Sequence, residues 1–171
     1  MPFLHACVHY IDAFTERSGQ LLAWLALGMA LMTTLVVVLR YGFNIGSIAA
    51  QESVTYMHGS LFLLGAAYAL KSGAHVRVDI FYRGFSARTK AWVNSVGGIV
   101  FLLPLCVFIL MSSWDYAGES WSMLETSAEP GGIPAVFLLK SLVPLIAITL
   151  ALQGIAEILR NALILVEGEA P

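Results

Sequence analysis

The feature that most constrains this chain is a set of four long apolar runs that carry almost no charge. Residues 21–39 lie between Arg17 and Arg40, residues 54–70 between Glu52 and Lys71, residues 92–111 are uncharged throughout, and residues 142–159 contain only Glu157, close to their end. A bilayer core of about 30 Å needs roughly 20 apolar residues as a helix. Hydrocarbon offers no partner to a free amide, so each run must close its own backbone hydrogen bonds as a helix. The composition agrees, with 58% hydrophobic and 12% charged residues against about 25% charged in a soluble domain. The expected fold is an all-α membrane protein in which 1–171 form one domain of four transmembrane helices, with Pro104 and Pro144 as local kinks.

Residues 3–18 place Leu4, Cys7, Val8, Ile11 and Phe14 at helical spacing opposite His5, His9, Asp12 and Glu16, which predicts an amphipathic helix lying at the interface. A signal peptide fits less well, because the first run is too long for an h-region and its leader is not basic. Basic residues near span ends stay in the cytoplasm. Lys71, Arg77, Arg83, Arg88 and Lys90 fall between runs two and three, Arg17 and Arg160 on the tails, and only Arg40 and Lys140 on the other side. Both termini are therefore expected inside the cell, and the loop with Asp115, Glu119, Glu125 and Glu129 outside. Val107, Leu110, Trp114, Ala117, Trp121 and Leu124 continue the third run's spacing, so that helix is expected to project beyond the membrane. Its aromatic residues suit headgroup anchoring or a docking surface. The Gly131-Gly132-Ile133-Pro134 turn ends the excursion, and Lys140 begins the return.

Helices in lipid meet through small residues and a few polar contacts. Gly65, Ala69 and Gly73 recur every four residues, as do Ala26, Ala30 and Thr34, and Ala147 and Ala151. Transporters that move solute by themselves show buried polar ligands near the midplane, interrupted helices and repeats. Here no carboxylate, Asn or Gln sits at the centre of a run, and Gln153 lies in the inner half of the fourth. His58 lacks a second histidine at matching depth for haem, and reads as an interhelical hydrogen bonder. Cys7 and Cys106 form no CxxC pair. A net charge of −2 offers no field for nucleic acid. No nucleophile, base and acid assemble into a triad, so no enzymatic site, metal site or cofactor is expected in this chain.

Two polar clusters remain. Arg40, Tyr41 and Asn44 leave the first run while Gln51 and Glu52 open the second, where Arg40 suits either Glu52 or a lipid phosphate, and Glu52 benefits from the helix macrodipole. On the opposite side His75, Arg77 and Asp79 alternate with Val76, Val78 and Ile80, placing His75 and Asp79 one turn apart if helical. Ser86 is positioned to cap the next helix.

At these residues the sequence resembles the small membrane subunit of tripartite ATP-independent periplasmic (TRAP) transporters, the DctQ-like subunit. The likeness runs through Arg40-Tyr41-Gly42-Phe43-Asn44, Gln51-Glu52, Gly65-Ala66-Ala67, His75-Val76-Arg77-Val78-Asp79, Pro130-Gly131-Gly132-Ile133-Pro134, Lys140 with Pro144, and Leu152-Gln153. One departure is that Gln51 leaves Glu52 as a single carboxylate where the family often has two acids. The resemblance implies a scaffold in the bacterial inner membrane beside a large membrane subunit that holds the substrate and sodium sites, working with a periplasmic substrate-binding protein to import organic acids. Arg40, Tyr41, Asn44, Glu52, Gly65, Ala69, Gly73, His75, Asp79, Lys140 and Gln153 are then candidates for subunit, lipid or topology contacts, and Asp115, Glu119 and Glu125 for docking the binding protein. A membrane anchor for a haem- or quinone-linked oxidoreductase and a self-sufficient small transporter are the competing readings.

Overall fold

The computed structural model describes residues 2–75 and 79–167. Every long element is helical: α1 (Pro2–Phe43), α2 (Ile48–Lys71), the single turn α3 (Asp79–Tyr82), α4 (Ala87–Gly97), α5 (Leu103–Ser122) and α6 (Val136–Glu167). A π turn over Gly98–Leu102 joins α4 to α5, so that Ala87–Ser122 is one rod. The Leu103 N–H reaches back to Gly98 O, five residues away. The wider turn accommodates Pro104, whose nitrogen has no proton to give. Pro144 likewise lies inside an unbroken α6.

The bundle is turned inside out relative to a soluble protein. Its buried apolar positions are mostly small, including Ala67, Ala91, Cys106, Ala117, Ala147 and Ala156, while Trp24, Leu31, Phe62, Phe101, Phe108 and Trp114 point outward. That is the distribution expected when the surrounding solvent is as apolar as leucine and helices gain by close approach. Three helices, Phe3–Phe43, Ala87–Ser122 and Val136–Val166, are long and apolar enough to cross a membrane. α2, diluted by Tyr56, His58, Ser60 and Tyr68, packs against both α1 and α6.

One expectation changes here. Residues 3–18 do not form a separate helix lying flat. They are the first third of α1, 42 residues long and so about 63 Å at 1.5 Å per residue. The polar Ser18-Gly19-Gln20 step does not break it, because Gly19 lies against the Tyr68 ring of α2, where a Cβ would come within 2.9 Å of Tyr68 Cβ. The amphipathic face instead packs on α6, burying Val8 and Thr15. Cys106, Ser113, Ala117 and Ser120 face inward, and Trp114 and Trp121 stay exposed.

The helix ends explain several singled-out residues. Asn44 takes a left-handed φ of 56° and ends α1, with Ile45 N–H donating to Leu39 O; Asn tolerates this region. Gly73, at φ 65°, closes α2 through Gly73 N–H to Leu70 O and Ala74 N–H to Ala69 O, the Schellman arrangement that favours glycine. Gly73 therefore serves the turn and leaves the small-residue stripe. Ser47 caps α2 through Ala50 N–H, so Glu52 lies beyond the first turn. Ser86 caps α4 through Thr89 N–H at 3.2 Å, as predicted.

Candidate functional site

Polar side chains collect at the two ends of the bundle, and at both ends they tie helices to one another. At the end carrying the basic connection, Thr15 Oγ1 on α1 donates to Gln153 Oε1 on α6 at 2.7 Å. Gln153 Nε2 donates to Asp12 Oδ1 at 3.0 Å, and Arg160 bridges Asp12 and Glu157. Gln153 is fully buried and Thr15 nearly so. Lys71 at the close of α2 pairs with Glu16 at 2.7 Å. Gln20 donates to the same carboxylate at 2.9 Å. Asn161 donates to the Glu157 carbonyl at 2.7 Å, Asn94 reaches Asn161 Oδ1 at 3.4 Å, and Tyr82 OH donates to Asn94 Oδ1 at 3.1 Å. One continuous set of contacts thus fastens α1, α6, α4 and α3.

At the opposite end, the loop between α5 and α6 folds back onto α2. Glu52 accepts the Ser127 hydroxyl and the Ile133 N–H at 2.6 Å. A side chain at Gly132 would bring a Cβ within 2.5 Å of Ser127 Cβ and 2.8 Å of Glu52 Oε1, so the close approach requires glycine. Its neighbour Gly131 turns the chain at φ 79°. Lys140 donates to Glu125 at 2.6 Å and stands 4.3 Å from the Tyr116 ring centroid, a cation–π distance. Ser120 also donates to Glu125, whose carboxyl is lowered chiefly by Lys140. Trp121 Nε1 donates to Ser141 at 2.7 Å, and its ring meets Phe137 edge-on at 4.6 Å. Leu124, with φ 45°, occupies the left-handed position of the α5 terminus.

Several sequence candidates converge in these clamps. Glu52, Lys140 and Glu125 share the loop clamp and Gln153 centres the other. Arg40 and Tyr41 remain exposed and Arg40 does not pair with Glu52, whose carboxylate is already satisfied by the loop. Asp115 and Glu119 are exposed on α5, whereas Glu125 is tied down, so the three acids do not form one uniform surface. Gly65, Ala69 and His75 line a common groove. His58 is exposed and stacks near Phe62 at 6.1 Å, not between helices. Arg77 lies outside the described residues, as does the side chain of Asp79. Sequence reading missed Thr15, Ser127 and Ser141 altogether, and it named Asp12, Glu157 and Arg160 only as charges. The available signal was a pair of acids on the polar face of the first helix with a compensating arginine near the end of the last.

The middle of the bundle is different. Gly28 meets Met57, Gly59 meets Leu139 and Leu142, and Ala67 and Ala147 are buried, so the helices cross there on small, apolar residues. The family model described as the DctQ component of tripartite ATP-independent periplasmic transporters matches residues 29–163. The chain belongs to this family. Among the relatives of this DctQ-family chain is the C4-dicarboxylate TRAP transporter small permease protein DctQ of Vibrio cholerae, 26% identical over 66% of this chain and 52% of its own length. A putative TRAP transporter small permease protein of Haemophilus influenzae is 34% identical over 50% of this chain and 55% of its own length. The matched stretches span about half the length of these relatives. No solved structure matches. The matched proteins are small permease components, and such subunits are not enzymes.

Proposed function

We propose that this chain is the fixed scaffold subunit of a sodium-coupled TRAP importer of organic acids, standing beside a large membrane subunit and receiving a periplasmic binding protein. One relative is named for C4-dicarboxylates, which supports a carboxylate substrate. The observation that carries the scaffold reading is the use of the polar groups at both ends: Gln153, Asp12, Arg160, Glu157, Glu52, Glu125 and Lys140 all bind one another or the backbone. A solute path needs polar groups aimed at a ligand, and these are aimed at neighbouring helices. Sodium and substrate then bind the large subunit, and this chain holds no cofactor.

In this reading α2 is the fourth span. Its 24 residues reach about 36 Å, enough for the hydrocarbon core. The basic connection faces the cytoplasm with both termini, in the bacterial inner membrane, and the Glu52–Glu125 clamp faces the periplasm. There Asp115 and Glu119 offer the binding protein an exposed acidic face, and complementary charge raises the rate of encounter. The test is co-purification of the tagged chain with its large subunit, followed by uptake with the double variant Asp115→Asn, Glu119→Gln. Stable co-purification is expected, with slower uptake at limiting binding protein and recovery at saturation. Absence of a large-subunit complex overturns the scaffold assignment, and unchanged uptake removes the docking role.

A further inference from the structure

A groove of about 720 Å3 runs between α1 and α2, beside the Gly19–Tyr68 contact. Its walls are apolar, with Leu22, Leu61, Phe62 and Ile146 along the sides and Gly65 and Ala69 at the base. At Gly65 nothing stands within 4 Å of where a Cβ would be, so the small residue there creates open space and does not admit a neighbouring helix. Its polar lining residues are Tyr68 and His75, and His75 is exposed just past the Gly73 turn. The His75 end opens at the most basic connection of the chain, where Arg88 is exposed and Lys71 is held by Glu16.

We propose that this groove seats an acyl chain of an anionic phospholipid of the leaflet facing the basic connection, with the lipid phosphate at the His75 end. The argument rests on the chain's being a membrane subunit and on complementarity of both parts of the ligand. A groove open at the surface of a membrane protein is filled by what surrounds it, and in a bilayer that is an acyl chain. Basic positions at the membrane surface attract anionic headgroups, so the polar mouth selects the lipid whose chain the apolar walls accept. Gly65 and Ala69 then act as the floor of a lipid site, and the lipid becomes part of the contact between α1 and α2.

The test is native mass spectrometry of the full chain released from nanodiscs of phosphatidylcholine containing a minor fraction of phosphatidylglycerol. The wild type is expected to retain phosphatidylglycerol in excess of its share. Gly65→Leu, which has room to fold, and Ala23→Leu, which narrows the groove from the α1 side, should each lose that retention while keeping the wild-type melting midpoint. His75→Ala should still hold a lipid but lose the preference for phosphatidylglycerol. Equal retention by wild type and both groove variants overturns the proposal. So does cross-linking of Gly65→Cys to the large subunit in the purified complex, which would show a protein helix in the groove. Lipid retention is read on this chain alone, so its outcome is independent of whether the transporter assignment stands.

Discussion

The Thr15–Gln153 contact can be tested by a double-mutant cycle. Thr15→Val removes one hydroxyl of nearly the same volume, and Gln153→Leu removes the amide while keeping most of the bulk. The pair is a neutral hydrogen bond of 2.7 Å between residues 3% and 0% exposed. Interhelical hydrogen bonds in membranes average about 0.6 kcal/mol and reach about 1.7, and short length with full burial places this one near 1 kcal/mol. Gln153→Leu should cost more than Thr15→Val, about 2 kcal/mol, because Asp12 also loses a donor, and hydrogen bonds to a charged group contribute roughly 1.5–3 kcal/mol. Asp12 keeps Arg160, which holds the loss at the low end. The double variant should therefore fall about 1 kcal/mol short of the sum of the singles. Equilibrium unfolding by SDS titration of mixed micelles measures all four corners. Additivity within about 0.3 kcal/mol would refute the view that α1 is fastened to α6 through this contact.

Other expectations follow from the loop clamp and the helix ends. Gly132→Ala should release the 123–135 loop from Glu52, seen as faster amide exchange and proteolysis there with little change in α1. Leu124→Gly should stabilise the protein by about 1 kcal/mol in the same SDS titration, since a side chain in the left-handed region costs roughly 1–2 kcal/mol and Leu124 is 60% exposed; a destabilised variant would contradict this. Glu125, in the loop, has a folded pKa lowered from 4.5, so its contribution is complete above that pH and is lost as pH falls through the lowered value. Loop exchange should accordingly rise only below about pH 4.5, and Glu125→Gln should flatten that rise.

Much of the fold was legible because lipid imposes a simple rule on sequence: an uncharged apolar run becomes a helix. The runs at 92–111 and 142–159 lie within the rods Ala87–Ser122 and Val136–Val166, and the Ser86 cap was readable from its place before the helix. The continuity of α1 was not. The expected boundary between residues 3–18 and 21–39 falls at Gly19 and Gln20, yet Gly19 lies against Tyr68, a contact between residues far apart in sequence. The same limit hid the clamps. Glu52 is 75 residues from Ser127 and Asp12 is 148 from Arg160, so local spacing carries no trace of either pair. Asn44 and Gly73 were singled out in motifs and stripes, but what fixes them is a left-handed turn. His58 was read as a buried hydrogen bonder because one polar residue in an apolar run suggests an interior partner; the structure turns it outward.

The central claim is that this chain supports transport without providing the path. Its most direct measurement is sodium-driven organic-acid uptake in proteoliposomes, with the purified chain alone, the large subunit alone, and both together, each over a range of binding-protein concentration. The account predicts uptake only when both subunits are present, and none from this chain alone at any concentration. Sodium-dependent uptake by this chain in the absence of the large subunit would contradict it.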